Sequence, residues 1–189
     1  MITLARGGVA DLDYVTATER LEGYEALVGR WERARHEAAL VDGRHAYFIG
    51  RDDGRRIGFA ILRDWASSER VTLLKRIAVD APGRGAGKGI LRLIIKRVFT
   101  ETDAHRLWLG VFPENARARR AYEQVGFRAE GIARGSAFFA GVYRDELIMA
   151  VLRPEWEAQF SLPSCNGDPR PERGADQTDL PEPDLGVEY

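Results

Sequence analysis

Apolar residues in the first 160 positions of this chain recur at spacings that are typical of short helices. Repeats of three and four residues predict helices over residues 11–20, 24–40, 87–101 and 116–125. The third of these carries Leu91, Ile94, Ile95 and Val98 on one face. Gly126 follows the last helix, and glycine is a common residue just beyond a helix end.

Runs rich in β-branched, aliphatic and aromatic residues predict strands between these helices. The predicted strands cover residues 2–6, 45–50, 57–63, 71–79, 107–111, 127–139 and 142–152. The sequence Asp52-Asp53-Gly54 between the second and third strands is typical of a hairpin turn. The order β-α-α-β-β-β-α-β-α-β-β predicts a mixed α/β domain in which helices flank one sheet.

The composition changes after residue 160. Five of the eight prolines lie in residues 161–189, with few large apolar residues. This segment has seven acidic and two basic residues, a net charge of −5, which leaves about +4 on residues 1–160. Such a segment cannot bury enough apolar surface to offset the entropy lost on ordering. We therefore predict one domain over 1–160 and a disordered, acidic, Pro/Gly-rich tail over 161–189. The tail could still pack on a partner chain, and a homodimer stays open.

Charge and cysteine content exclude several classes of protein. The formal net charge of −1 gives no reason to expect a nucleic acid or an anionic membrane as a partner. The single cysteine, Cys165, excludes an intrachain disulfide and a multi-cysteine metal site. His36, His45 and His105 lack metal-ligand spacing, so we expect structural roles for them and no metal. The chain shows no apolar leader and no run of about 20 apolar residues, so we expect a soluble, cytoplasmic protein.

A glycine-rich turn lies between the strand that ends at residue 79 and the next helix. Its sequence, Arg84-Gly85-Ala86-Gly87-Lys88-Gly89, leaves backbone N–H groups uncovered at a helix N-terminus and adds two positive charges. The turn therefore predicts a phosphate-binding site. A P-loop is excluded because Pro82 and Gly89 stand where it needs Gly and Ser or Thr, and Ile90 breaks a dinucleotide-binding fingerprint. A mobile turn without a ligand is the alternative.

The context of this turn resembles the GNAT superfamily of acetyl-CoA-dependent N-acetyltransferases. Residues 74–91 are similar to its central motif, a strand followed by (Arg/Gln)-x-x-Gly-x-(Gly/Ala). Residues 115–127 resemble its second motif, in which an Asn opens a helix and a Tyr stands four residues before Gly-Phe. Residues 141–149 are similar to the last strand of the branch that includes ribosomal-protein N-terminal acetyltransferases. The resemblance covers residues 71–153 and implies a GNAT-like mixed, mostly antiparallel central sheet flanked by helices.

The resemblance also implies which residues hold acetyl-CoA as the cosubstrate. In the family the strand before the turn splays from its neighbour and pairs with the pantetheine arm, which here implies Ile77, Ala78 and Val79. The turn cradles the pyrophosphate, which implies Arg84, Gly85, Ala86, Gly87, Lys88 and Gly89. Asn115 is implied to contact the CoA arm. Tyr122 is implied to lie beside the sulfur as the catalytic group, because a phenol can donate a proton to the departing thiolate.

Structural roles compete with two of these assignments. Asn115 precedes a helix and is a good N-cap, which does not exclude a contact with CoA as well. Tyr122 shares a helix face with Ala118 and Val125, the spacing expected of a core aromatic.

The general base is not evident from the sequence. An aliphatic ammonium with a pKa of about 10 must lose a proton before it attacks a thioester. The strand at 71–79 contains no carboxylate, and the nearby candidates are Glu22, Glu25, Glu69 and Asp80. A solvated surface position is favoured for each of the four, and a chain of water molecules is an equal candidate.

The expected reaction is transfer of an acetyl group from acetyl-CoA to a primary amine by direct attack in a ternary complex. No Cys or Ser is placed to form an acyl-enzyme. Two other classes stay open: a CoA-binding sensor or structural module without turnover, and a nucleotide-binding protein. The acceptor is a small-molecule or peptide amine whose identity depends on variable loops such as 21–30 and 136–144.

Overall fold

The computed structural model describes residues 1–159. The predicted acidic tail lies outside the described residues, so the domain boundary near residue 160 stays a prediction. The strands are β1 (Ile2–Arg6), β2 (His45–Asp52), β3 (Arg55–Arg63), β4 (Val71–Val79), β5 (Arg106–Val111), β6 (Arg128–Phe139) and β7 (Val142–Leu152). The helices are α1 (Leu12–Glu19), α2 (Arg33–Val41), α3 (Ala86–Glu101), α4 (Ala116–Glu123) and α5 (Arg153–Ala158), with a short 3-10 turn at Val9–Asp11.

The strand predictions are confirmed, and β4 has the predicted bounds. The turn between β2 and β3 also has the backbone geometry that its sequence predicts. Asp53 and Gly54 have φ angles of 45° and 81°, the left-handed pair that a tight two-residue hairpin turn requires.

The predicted helix over 24–40 is wrong in its first half, because residues 21–32 form separate turns and α2 begins only at Arg33. Gly23, with a φ of 84°, separates these turns from α1. The apolar spacing that suggested a helix has another cause. Tyr24, Val28 and Trp31 are all buried in the core between these turns and the sheet.

Helix α5 was not predicted, although its start carries local signals. Pro154 lies in its first turn, where the missing N–H has no helical partner to lose. The carboxylate of Glu155 accepts a hydrogen bond from the backbone N–H of Leu152 at 2.9 Å. Both are standard features of a helix N-terminus.

The seven strands form one sheet in the order β1-β2-β3-β4-β5-β7-β6. Neighbouring strands run antiparallel except for β4 and β5, which are parallel. The predicted mostly antiparallel α/β sheet is therefore confirmed. Helix α3 packs on one face, where Ile90, Ile94 and Val98 are fully buried. The opposite face is covered by α1, α2 and the turns between them, with Leu12 and Val15 fully buried.

The parallel pair β4–β5 opens part-way along its length. Pairing between the two strands covers only Val71–Arg106, Thr72–Leu107 and Leu73–Trp108. Beyond Leu73, β4 continues for six residues with β3 on one side and, among residues 1–159, no strand on the other. A register shift lies in the same stretch, where Lys75 is an extra residue between the partners of Ile61 and Leu62. The resulting gap positions the candidate site.

Candidate active site

A cavity of about 930 Å³ occupies the gap between β4 and β5. Its walls come from both strands, the start of α3, helix α4, residues 24–31 and the hairpin of β6 and β7. A volume near the upper end of the range for small-molecule sites suits a long ligand together with a second substrate.

The glycine-rich turn forms one end of this cavity. Gly85 is the N-cap of α3 and has a φ of 84°, which favours glycine. The first helical hydrogen bond runs from the N–H of Gly89 to the carbonyl of Gly85, at 3.1 Å. The amides of Ala86, Gly87 and Lys88 therefore precede the helical ladder and can serve an anion, with support from the helix dipole.

The predicted cradle is only partly at the cavity surface. Gly85, Gly87 and Lys88 line the cavity, whereas Arg84, Ala86 and Gly89 do not. Packing explains the glycine at position 89. A Cβ there would lie 2.5 Å from Cδ1 of Ile2, so the missing side chain allows β1 to approach α3 closely. The N–H of Gly89 is already used in a hydrogen bond inside α3.

The open edge of β4 presents backbone groups to the cavity in alternation. The N–H of Asp80 donates to the carbonyl of Ile57 at 3.1 Å, so the backbone groups of Asp80 and Ala78 face β3. Those of Ile77 and Val79 consequently face the gap. All three predicted positions, Ile77, Ala78 and Val79, line the cavity, but only the first and third offer backbone hydrogen bonds to it.

Tyr24 occupies part of this edge. Its hydroxyl donates to the carbonyl of Val79 at 2.8 Å and accepts from the N–H of Val79 at 3.3 Å. This leaves Ile77 as the residue whose backbone groups face the gap without such a partner among residues 1–159. The segment that was predicted to be helical thus hydrogen-bonds to the open edge of β4 through the side chain of Tyr24.

Helix α4 brings Asn115 and two cations to the cavity. The side-chain oxygen of Asn115 accepts from the N–H of Ala118 at 3.1 Å, so its predicted capping role is confirmed. Asn115 also lines the cavity, as do Arg117 and Arg120. Its position is thus compatible with a ligand contact in addition to the cap.

Tyr122 lies on the cavity wall in the last turn of α4, one residue before the helix ends. Its ring contacts the ring of Phe127, with centroids 5.8 Å apart, and packs against the core under α3. Its hydroxyl has no hydrogen-bond partner within residues 1–159. Burial, followed by the nearby Tyr24, raises the pKa of Tyr122 to about 12. The phenol therefore stays protonated at neutral pH and can act as a donor.

Comparison with known proteins agrees with this geometry. Residues 14–127 match the model of the acetyltransferase (GNAT) family. The chain belongs to the GNAT acetyltransferase family. A probable N-acetyltransferase, YjcK of Bacillus subtilis (strain 168), is 40% identical over 145 residues, which cover 73% of this chain and 79% of that protein. The spermidine N(1)-acetyltransferase of Escherichia coli (strain K12) is 25% identical over 143 residues, or 75% of this chain and 76% of that enzyme.

Solved structures of the family share the fold. The spermidine/spermine N-acetyltransferase SpeG of Vibrio cholerae, in complex with manganese ions, aligns with a TM-score of 0.69 and 22% identity. The alignment covers 84% of this chain and 96% of that one. Among residues 1–159, no three His, Cys, Asp or Glu side chains are grouped to hold a metal ion. No helix within that range is long and apolar enough to cross a membrane.

Only one of the four general-base candidates predicted from the sequence lines this cavity. Glu25 lines it, and its carboxylate accepts from the N–H of Gly23 at 2.9 Å and lies 3.7 Å from Arg30. Glu22, Glu69 and Asp80 do not line the cavity.

Sequence analysis missed a second carboxylate, that of Glu146 on β7. Glu146 lines the cavity and accepts a hydrogen bond from the hydroxyl of Ser136 at 2.9 Å. One carboxylate oxygen would lie 2.5 Å from a Cβ at Gly110, so the absence of a side chain there gives the carboxylate its place over β5. No local pattern marks Glu146, because its position depends on the pairing of β5 with β7.

A buried polar network supports the floor of the cavity. Arg76 lines the cavity, is 8% exposed, and forms a short ion pair with the fully buried Glu19. The other carboxylate oxygen of Glu19 accepts from the N–H of Trp31 at 3.0 Å. Burial raises the pKa of Glu19, but hydrogen bonding from His36 and the charge of Arg76 outweigh it, so the net shift is downward. His36, which also contacts the hydroxyl of Tyr47 at 2.9 Å, therefore has the structural role expected of it.

Proposed function

We propose that this chain transfers the acetyl group of acetyl-CoA to a primary amine by direct attack of the amine within a ternary complex. One observation carries the proposal. Residues at the N-terminus of α3, residues on the unpaired edge of β4 and Tyr122 all line a single cavity. A ligand that is anionic at one end, peptide-like in the middle and reactive at the other would meet these three features in order.

The residues present suit each part of acetyl-CoA. The free amides at the start of α3 and the ammonium of Lys88 would hold the pyrophosphate. Arg117 and Arg120 add positive charge on the α4 side of the same region. The backbone groups of Ile77 would pair with the amides of the pantetheine arm as an added strand does. Asn115 would contact the arm from the opposite wall.

The proposed proton transfers use two side chains. Acetyl-CoA supplies an activated thioester whose carbon accepts the amine nitrogen. As the C–N bond forms and the C–S bond breaks, Tyr122 donates its phenolic proton to the departing thiolate. Glu146 accepts the proton that the amine must lose, directly or through one water molecule. After the C–N bond forms, the nitrogen loses its second proton to solvent. Glu146 then releases its proton and Tyr122 regains one from solvent, so the net products are the amide, the thiol of CoA and one proton.

The likeness of residues 141–149 to the ribosomal-protein branch points to a peptide N-terminus as the acceptor. The relatives named as spermidine N(1)-acetyltransferases act on a polyamine. Both acceptors are primary amines, so the proposed reaction covers either. They differ in charge, and charge is what the cavity can discriminate.

Two measurements test the proposal: calorimetry with acetyl-CoA, and thiol release from acetyl-CoA in the presence of a panel of amines. We expect binding and amine-dependent release of one thiol per acetylated product. Binding without release for any amine would favour a CoA-binding module that does not turn over. Stabilisation by ATP or NAD but not by CoA would instead identify a nucleotide-binding protein.

A further inference from the structure

Three cations meet in the part of the cavity that lies away from the α3 turn. Arg35, Lys75 and Arg76 line this region together with residues 24–31 and the hairpin of β6 and β7. We call this region the acceptor half. The guanidinium carbons of Arg35 and Arg76 lie 4.4 Å and 4.7 Å from the ring centroid of Trp31. Lys75 is the extra residue at the register shift of β4, which places it beside Arg76 at the open end of the gap.

These cations repel one another. Loss of solvent lowers the pKa of Lys75, and the charges of Arg76, Arg63 and Arg35 lower it further, whereas Glu146 raises it. Arg35 likewise lowers the pKa of Arg76. Arg35 and Lys75 are exposed to the cavity, and an anion placed between the cations would be attracted by all three.

The protein itself neutralises only one member of this cluster. Within residues 1–159, Arg76 has the carboxylate of Glu19 as its partner, but neither Arg35 nor Lys75 has a carboxylate oxygen within 4.0 Å. Neither carboxylate of the acceptor half forms an ion pair with Arg35 or Lys75, and Glu146 acts on Lys75 only from a longer distance. Glu25 lies beside Arg30, and Glu146 is held by the hydroxyl of Ser136.

We infer that the acceptor is an amine that also carries a carboxylate, as an amino acid does, and that Arg35 and Lys75 bind this carboxylate. The inference rests on the proposed acetyl transfer and names the class of its acceptor. The carboxylate bound at Arg35 and Lys75 orients the molecule so that its amine points towards Tyr122 and Glu146. A polyamine would instead add positive charges to a region that already has two cations with no ion-paired carboxylate within residues 1–159.

Matched pairs of amines test this inference directly. L-lysine is compared with cadaverine, and L-phenylalanine with phenethylamine, because each pair differs by one carboxylate. Spermidine is added as the polyamine. Thiol release with the full chain and saturating acetyl-CoA should give a kcat/KM at least about tenfold higher for the better carboxylate-bearing amine than for its partner.

Two variants, each with a matched control, locate the effect. Arg35→Gln and Lys75→Met should each raise the KM for the amino acid about tenfold and leave the KM for acetyl-CoA unchanged. Arg92→Gln and Lys96→Met remove exposed cations from the outer face of α3, away from the cavity, and should behave as wild type.

The outcomes separate the two proposals. Equal or better use of cadaverine, phenethylamine or spermidine would overturn the carboxylate inference and leave acetyl transfer standing. An unchanged preference in both Arg35→Gln and Lys75→Met would overturn it as well. Absence of thiol release with every amine would overturn the proposed function, and the inference with it.

Discussion

Single residues in this site combine a structural role with a position on the cavity wall. Asn115 caps α4 through Ala118 and lines the cavity at the same time. Tyr122 packs its ring on Phe127 and leaves its hydroxyl facing the gap. The core and capping roles considered from the sequence are therefore compatible with the chemical ones, because they use different atoms of the same side chains.

The Tyr122→Phe variant separates the two roles of this tyrosine. The ring contact should survive, so the melting temperature should stay near that of wild type. The lost proton donor acts mainly in the transition state, so kcat should fall at least about tenfold with little change in the KM for acetyl-CoA. Steady-state kinetics will measure both constants. Tyr143→Phe, at an exposed position outside the cavity, is the control. A wild-type kcat in Tyr122→Phe would mean that Tyr122 has only a packing role in the core.

The pH profile of the Glu146→Gln variant tests the proposed proton acceptor. At neutral pH the amine is protonated, so kcat/KM should fall about 10²-fold when Glu146 can no longer take up its proton. Above the pKa of the amine the defect should shrink, because the amine then enters already deprotonated. Glu123→Gln, on the exposed surface of α4, should follow the wild-type profile. A defect of equal size at all pH values would assign Glu146 a role in binding.

At the scale of the element, the free backbone amides at the start of α3 are the proposed binding group for the pyrophosphate. A Cβ at Gly87 would have Val79 Cγ1 as its nearest neighbour, at 3.9 Å, so Gly87→Ala should fold and bind acetyl-CoA normally. Gly87→Glu adds bulk and negative charge where the pyrophosphate is proposed to lie, and should abolish detectable binding. Calorimetry on the two variants, with melting temperatures as a folding check, makes the comparison. Unchanged affinity in Gly87→Glu would remove this turn from the site.

The ion pair of Glu19 and Arg76 joins α1 to β4, and its loss should destabilise the whole domain. Glu19→Gln leaves a buried guanidinium without its counter-ion, so we expect unfolding to become easier by about 3–5 kcal/mol. Glu32→Gln breaks an exposed ion pair with Arg20 and should cost less than about 1 kcal/mol. Urea denaturation at pH 7 would compare the two variants. Equal costs would show that the buried pair contributes no more than a surface one.

The same pair predicts how wild-type stability depends on pH. The folded-state pKa of Glu19 is lowered from 4.5, so its contribution is complete above pH 4.5 and is lost as pH falls through the folded-state value. Urea midpoints between pH 7 and pH 3 should therefore decline less in Glu19→Gln than in wild type.

At the scale of the whole molecule, residues 1–159 contain a seven-stranded sheet and two hydrophobic clusters. A chain that ends at Phe160 should therefore keep its melting temperature within a few degrees and its affinity for acetyl-CoA. Differential scanning calorimetry and titration calorimetry would measure the two properties. A larger drop in melting temperature would mean that the acidic residues 161–189 stabilise the positively charged body, within one chain or between two.

The sequence by itself determined the parts of this protein that depend on neighbouring residues. The strand β4, the turn before α3, and the Asn and Tyr of α4 all follow from spacings within a few helical turns or one strand. Only the tertiary structure decided the acceptor side. Tyr24 reaches Val79, Glu146 lies over Gly110, and Arg35 and Lys75 line the same cavity because strands and helices far apart in the chain pack around one gap. Local periodicity cannot encode such meetings, since it describes which face of an element is buried and not which element will cover it.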